Sequence, residues 1–221
     1  MQLTNLPHTK DFASVERFLQ TERLSRYYAA SKGNKTKAFA HYIWNCDLSQ
    51  YFYIPLHFAE IGSRNAINLA LIANLGPLWF SNSNFVAMLD PRFSTELGKA
   101  IQDETKQHGA SLTAHHIVSA LTFGFWEHLL TKRFDRLLWN KGIALYFPGA
   151  PAALSREDLR TSIEGVRRWR NRIAHHRAIF DKSPSRKYQQ VVELIMWACP
   201  TTCAWVKSVT PVHTIINQRP K

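Results

Sequence analysis

Sustained alternation of apolar and polar residues is missing from this chain, which argues against a protein built on a sheet. Glycine is scarce, nine among 221 residues, and that scarcity disfavours a nucleotide-binding α/β fold rich in glycine turns. The three cysteines, Cys46, Cys199 and Cys203, form no even disulfide framework. They are expected to be reduced thiols of a cytoplasmic protein. Cys199 and Cys203 are four apart, a spacing that alone makes no zinc site. No apolar run approaches the ~18 residues a membrane span needs. Residues 1–11 lack a basic segment followed by an apolar stretch, so no signal peptide is expected. Repeats and low-complexity tracts are missing as well. Acid is short: 16 Asp and Glu stand against 28 Lys and Arg, for a net charge of +12. Such an excess speaks about partners, either nucleic acid or an anionic membrane surface. In a cytoplasmic chain, nucleic acid is the better of the two.

Aromatic and apolar residues are plentiful. Seven Trp, seven Tyr and thirteen Phe stand in a chain that is 45% hydrophobic, enough for one sizeable core and unlike a disordered chain. Residues 12–28 carry Phe12, Val15, Phe18 and Leu19 at helical spacing, before a polar break over 31–36 that contains Gly33. A second helical run starts near Thr36, and a third, over 56–74, stops at Gly76-Pro77, a Gly-then-Pro helix end. Helices over 93–107 and 113–138 flank His108-Gly109, the second with a possible break at Gly124, and residues 148–151 form a loop. Ser155 to Asp158 makes a capping box, followed by Leu159, Ile163, Val166, Trp169 and Ile173 at steps of four and three. A last helix covers 185–198, where Pro200 ends it or begins a short successor. The expectation is an all-α bundle forming a single domain over residues 1–221.

The end of the 155–175 helix reads R-N-x-x-x-H: Arg170, Asn171 and His175. Asn171 and His175 share a helix face, and Arg170 sits about 100° away from Asn171. The three would converge only on a ligand lying across that edge, such as a phosphodiester. RNA carries its own nucleophile, the 2′-hydroxyl, and histidine is the side chain suited to take its proton near neutral pH. An arginine fork stabilises charge developing on the phosphate with two parallel hydrogen bonds. The Asn171 amide would orient the imidazole or position the substrate. No metal is required. Between Arg167 and Lys187 eight Lys/Arg face one acid, Asp181, so this stretch carries +7 of the +12. Arg167, Arg168, Arg172, His176, Arg177 and Lys182 are expected to track the RNA backbone, as phosphate contacts hold a strand without reading it.

Other candidates carry plainer readings. Glu60 and Arg64, four apart, make an intrahelical ion pair, or Arg64 helps to hold RNA or a dimer partner. His115-His116 are expected to be capping or exposed histidines, because no carboxylate or cysteine lies at metal-ligand spacing. Phe123, Phe125, Trp126 and Trp169 are read as core rather than as base-stacking platforms.

The segment Arg170-Asn171-Arg172-Ile173-Ala174-His175-His176, followed by Ile179-Phe180, closely resembles the signature of Abi-like (abortive infection) proteins in the HEPN superfamily. Other stretches match in that family's order. These are Trp44-Asn45 with Leu48-Ser49, Glu60-Ile61 with Arg64-Asn65-Ala66-Ile67, Leu121 to Trp126, and Phe147-Pro148. The resemblance spans residues 40–180. It implies a HEPN-type helical bundle, here with additional N-terminal helices, and a catalytic segment over 155–180. It also implies metal-independent RNA cleavage leaving 2′,3′-cyclic phosphate and 5′-hydroxyl ends, with Arg170 and His175 catalytic and Asn171 as the polar residue after the arginine. The setting it implies is a toxin of phage defence, held in check by a cognate antitoxin protein or a structured small RNA. HEPN toxins silenced by a nucleotidyltransferase partner carry tyrosine two residues after the motif histidine. Arg177 stands there in this chain.

Two other functional classes compete. One is a non-catalytic RNA-binding or interaction module of a defence or toxin–antitoxin system, its Arg and His only gripping phosphate. The other, ranked last, is a peripheral membrane factor. For the nuclease, in-line cleavage needs a base and an acid on opposite sides of phosphorus. His176, about 100° round the helix from His175, is a poor second catalyst. A symmetric homodimer with a composite site is therefore expected to bring a second His175.

Overall fold

The computed structural model describes residues 6–220. Residues 1–5, part of the stretch expected to lack a signal peptide, lie outside the described residues. Among the described residues there is no strand, and the chain is all-α. No described helix is long and apolar enough to cross a membrane.

The N-terminal run is two helices, α1 (Phe12–Leu19) and α2 (Thr21–Ala30). They are divided at Gln20, which takes φ 70°. The two runs expected on either side of Pro55 are one helix, α3 (Lys35–Leu75), of 41 residues and about 60 Å long. Pro55 lies inside it, buried, and removes the N–H that the Tyr51 carbonyl would accept. Periodicity hid this continuity for a physical reason. Buried apolar positions run round α3 on several sides, through Phe39, Trp44, Phe52 and Leu71, so no single apolar stripe forms. The helix stops at Gly76, φ 86°, as the Gly-Pro pair requires.

Next come α4 (Ser83–Met88) and α5 (Pro91–His108), then α6 (Ala114–Ala120) and α7 (Phe123–His128). The long helix expected over 113–138 breaks early, at the extended Leu121 and Thr122, and Gly124 lies within α7. The Thr122 N–H is donated to Glu96 Oε1 on α5 at 2.7 Å, a tertiary bond in place of a helical one. Short 3-10 turns carry the chain to α8 (Arg156–Ala174), followed by α9 (Pro184–Ala198), α10 (Pro200–Val209) and α11 (Val212–Asn217). Pro200 thus begins a successor helix, and α11 had no counterpart in the expected elements. The 148–151 loop seats on α9, with the Gly149 N–H bonded to the Trp197 carbonyl at 3.0 Å. A Cβ at Gly149 would fall 2.0 Å from the Met196 oxygen, so only glycine fits.

Helix α3 is the mast of the bundle, touching α2, α7, α8, α9 and α11. On one side Trp79, Phe85, Trp126 and Phe134 interlock, Trp79 lying 5.4 Å from Phe85 and 6.0 Å from Trp126. On the other, Phe52 meets Trp169 of α8 edge to face at 5.4 Å and Tyr188 of α9 at 6.0 Å. Phe123, Phe125, Trp126 and Trp169 are all buried, so they are core. The buried polar residues of α3 are engaged. Asn68 accepts from Trp79 Nε1 at 2.8 Å, and Asn45 Oδ1 accepts from the amides of Ile179 and Phe180 at 2.7 and 3.1 Å.

Candidate functional site

The capping box opens α8 as expected. Ser155 Oγ accepts from the Asp158 amide and Asp158 Oδ2 accepts from the Ser155 amide, both at 3.1 Å. Leu159, Ile163, Val166 and Trp169 bury the helix's apolar face. The other end is a Schellman closure. The His176 N–H reaches the Ile173 carbonyl at 2.8 Å, and the Arg177 N–H reaches that of Arg172 at 2.9 Å. His175 is the C-cap, and His176 takes the left-handed conformation, φ 53°, that glycine usually fills. His176 is therefore off the helix, not 100° round it from His175.

The loop beyond is tied down from three directions. Asn45 of α3 holds Ile179 and Phe180. From α2, Arg23 Nη1 donates to the His176 carbonyl at 2.7 Å, Arg26 pairs with Asp181, and Tyr27 stacks on Phe180 at 4.8 Å. Arg172 Nε donates to the Ala178 carbonyl at 2.7 Å. The backbone around His175 is thus fixed by groups far apart in sequence.

Arg170 and His175 open onto different flanks of this helix end. Arg170 faces α3 in a cleft of about 390 Å³ with Tyr53, His57, Glu60, Ile61 and Arg64. Its Nε lies 3.0 Å from Glu60 Oε2, its Nη2 lies 3.4 Å from Glu60 Oε1, and Nη1 donates to Asn171 Oδ1 at 3.2 Å. The Glu60 side chain is 10% exposed and that of Arg170 43%, so a buried acid anchors a half-open cation. Glu60 also pairs with Arg64. Burial pushes the Arg64 guanidinium below its ordinary range against the pull of Glu60, and the charge of Arg170 adds to the push.

His175 stands where two basic clefts meet. One, of about 610 Å³, is lined by Arg168, Arg172, Arg177, Lys182 and Lys187 with a single acid, Glu164. Glu164 is itself paired with Arg168. The other, about 650 Å³, lies against α2 and includes Arg23, Arg26, His176 and Glu22. Arg172, His175 and Arg177 line both. His175 is exposed, and its ring meets no hydrogen-bond partner among the described residues.

Of the residues expected to track RNA, Arg168, Arg172, Arg177, Lys182 and His176 line these clefts. Two lie elsewhere. Arg64 belongs to the Arg170 flank, and Arg167 is committed to an ion pair with Glu127 on α7. Asn171 lines the same cleft as His175 while its oxygen holds Arg170, so it connects the two flanks. Sequence reasoning missed Glu60 as the partner of Arg170, 110 residues away. It also missed Arg23 and Arg26. The pair on α2 left a signal, because a spacing of three puts both arginines on one helix face.

Among the described residues no group of three His, Cys, Asp or Glu stands where it could hold a metal ion. His116 caps α6, its Nδ1 accepting from the Thr113 amide at 3.1 Å, and stacks on His108 at 3.7 Å. Compared with models of protein families, with characterised proteins and with solved structures, the chain matches none.

Proposed function

We propose that this chain is an endoribonuclease of the Abi-like HEPN type, a toxin of phage defence acting through Arg170, Asn171 and His175. The observation that carries this reading is His175 itself. An exposed imidazole with no competing partner stands at the junction of two basic clefts, and on the opposite flank of the same helix end stands an arginine whose fork is already oriented. In this reading His175 Nδ1 or Nε2 takes the 2′-hydroxyl proton, the oxygen attacks the adjacent phosphorus, and the 5′-oxygen leaves with a proton given by the protonated His175 of a second copy. Arg170 uses three N–H directions on Glu60 and Asn171 and keeps two for phosphate oxygens. The products are a 2′,3′-cyclic phosphate and a 5′-hydroxyl, and residues of this chain supply a base and a cation without a carboxylate cluster.

The separation of Arg170 from His175 across α8 favours one competing reading, a non-catalytic RNA-binding module. A symmetric homodimer reconciles that separation with catalysis, because a second copy brings another Arg170 and another His175 to one groove. Arg177 in the place of tyrosine points to a controlling partner other than a nucleotidyltransferase, an antitoxin protein or a structured small RNA. The test is to induce wild type and His175→Ala in bacteria and to sequence RNAs bearing cyclic-phosphate ends. Such ends are expected with wild type alone. Purified protein is expected to cleave in excess EDTA and to leave an all-deoxy strand intact. Loss of RNA affinity in His175→Ala, with no cleavage by wild type, would assign the binding-module function instead.

A further inference from the structure

The cleft between α2 and the end of α8 extends beyond the R-N-x-x-x-H segment, because α2 sends two arginines toward it. Arg23 spends one N–H on the His176 carbonyl and Arg26 is paired with Asp181. Arg172 and Arg177 complete the lining, so four cations face the single carboxylate of Glu22. On the far side of His175, five cations face Glu164 alone. We propose that the two clefts form one continuous track for a single-stranded nucleic-acid backbone, with Arg23 of α2 holding phosphate on one side of His175 and Lys187 of α9 on the other.

Three observations support a polyanion rather than a single small ion. The clefts share Arg172, His175 and Arg177, so a ligand in one is continuous with a ligand in the other. Each has a volume well beyond one phosphate group. Cations crowd one another at the junction and at the α9 end. Burial first, then the neighbouring Arg26, lowers the Arg172 guanidinium, and burial first, then Arg186 and Arg168, lowers the Lys187 ammonium. Anions at these two places relieve that repulsion. Concave walls suit a strand better than a flat lipid surface. The rings beside the track, Tyr27 and Trp169, are buried in the core, so bases have no exposed platform there. Binding is therefore governed by phosphate and tolerant of sequence. The inference rests on the nuclease reading only in taking RNA as the natural strand.

Affinity of the full chain for an uncleavable all-deoxy strand of about 12 nucleotides tests this track. It is measured between about 50 and 200 mM salt, where the slope of log K against log salt counts the phosphates neutralised. Arg23→Gln keeps a donor for the His176 carbonyl and removes the charge, and Lys187→Gln keeps one for Gln190, whose Oε1 accepts from Lys187 at 2.8 Å. Each variant is expected to flatten the slope by about 0.7, the double variant by about 1.4, with melting temperature unchanged. Arg23→Lys is expected to restore the wild-type slope. An unchanged slope in either glutamine variant overturns the track, as does a wild-type chain that fails to bind. Anionic vesicles that displace the strand would assign the surface to a membrane. Flattened slopes with no cleavage of the matching ribo strand would leave the track standing and remove the nuclease reading.

Discussion

The two flanks of one helix end are built on opposite principles. Toward α3, Arg170 is pinned by a buried acid and sits among apolar neighbours, its charge largely answered within the fold. Toward α2 and α9, His175 is exposed and surrounded by cations whose charge is answered by little. The first arrangement limits the freedom of a group, and the second leaves a field open for a ligand. A site that must both orient a cation and attract a polyanion needs both kinds of surface, because a fully neutralised cleft attracts nothing and a field of free arginines orients nothing.

The largest expected effect comes from the open flank. His175→Ala is expected to reduce cleavage by about 10²–10⁴-fold with RNA affinity nearly unchanged, read by cleavage rate and by binding to uncleavable strand. Arg170→Lys keeps the charge but loses the fork, and a fall in kcat of about 10²–10³-fold is expected, with the fold retained by circular dichroism. A fully active lysine variant would reduce Arg170 to a generic charge and dissolve the contrast between the flanks. Glu60→Gln removes the anchor while keeping its shape. We expect kcat to fall by about tenfold with KM little changed, as an unpinned guanidinium samples unproductive positions. A rise in KM alone would show that Glu60 shapes binding rather than orientation. The smallest effect is expected at the turn. His176→Gly relieves the left-handed strain but adds freedom to the unfolded chain, for a net gain of about 0.5 kcal/mol and roughly 1–2 °C in melting temperature.

Local rules made the helices legible wherever a cap or breaker marked them. Ser155 with Asp158 opened α8, Gly76 closed α3, and Pro200 began α10. They failed where tertiary contacts decide. The continuity of α3 through Pro55 depends on burial around its circumference, and the break at Leu121 depends on Glu96 capturing an amide 26 residues away. At the candidate site, the residue types from Arg170 to Arg177 were readable, and so was the helix that carries them as far as Ala174. Their division between two flanks was not, because Glu60 draws Arg170 one way and the Schellman turn sends His176 another. Arg167 looked like part of the basic run until Glu127 claimed it, a partner 40 residues away.

Helix α3 is synthesised early and covered late. Trp44 donates to the Ile215 carbonyl at 2.6 Å, Asn45 waits for Ile179 and Phe180, and Phe52 waits for Trp169 and Tyr188. At ribosomal speed the interval between making Asn45 and making Ile215 is roughly 10–30 s. For most of that time the mast of the bundle lacks α8, α9 and α11. The loop after His175 cannot lock onto Asn45 until most of the chain has emerged, so the clefts around His175 take shape near the end of translation. A nascent chain therefore carries the whole R-N-x-x-x-H motif for some seconds before it carries the site.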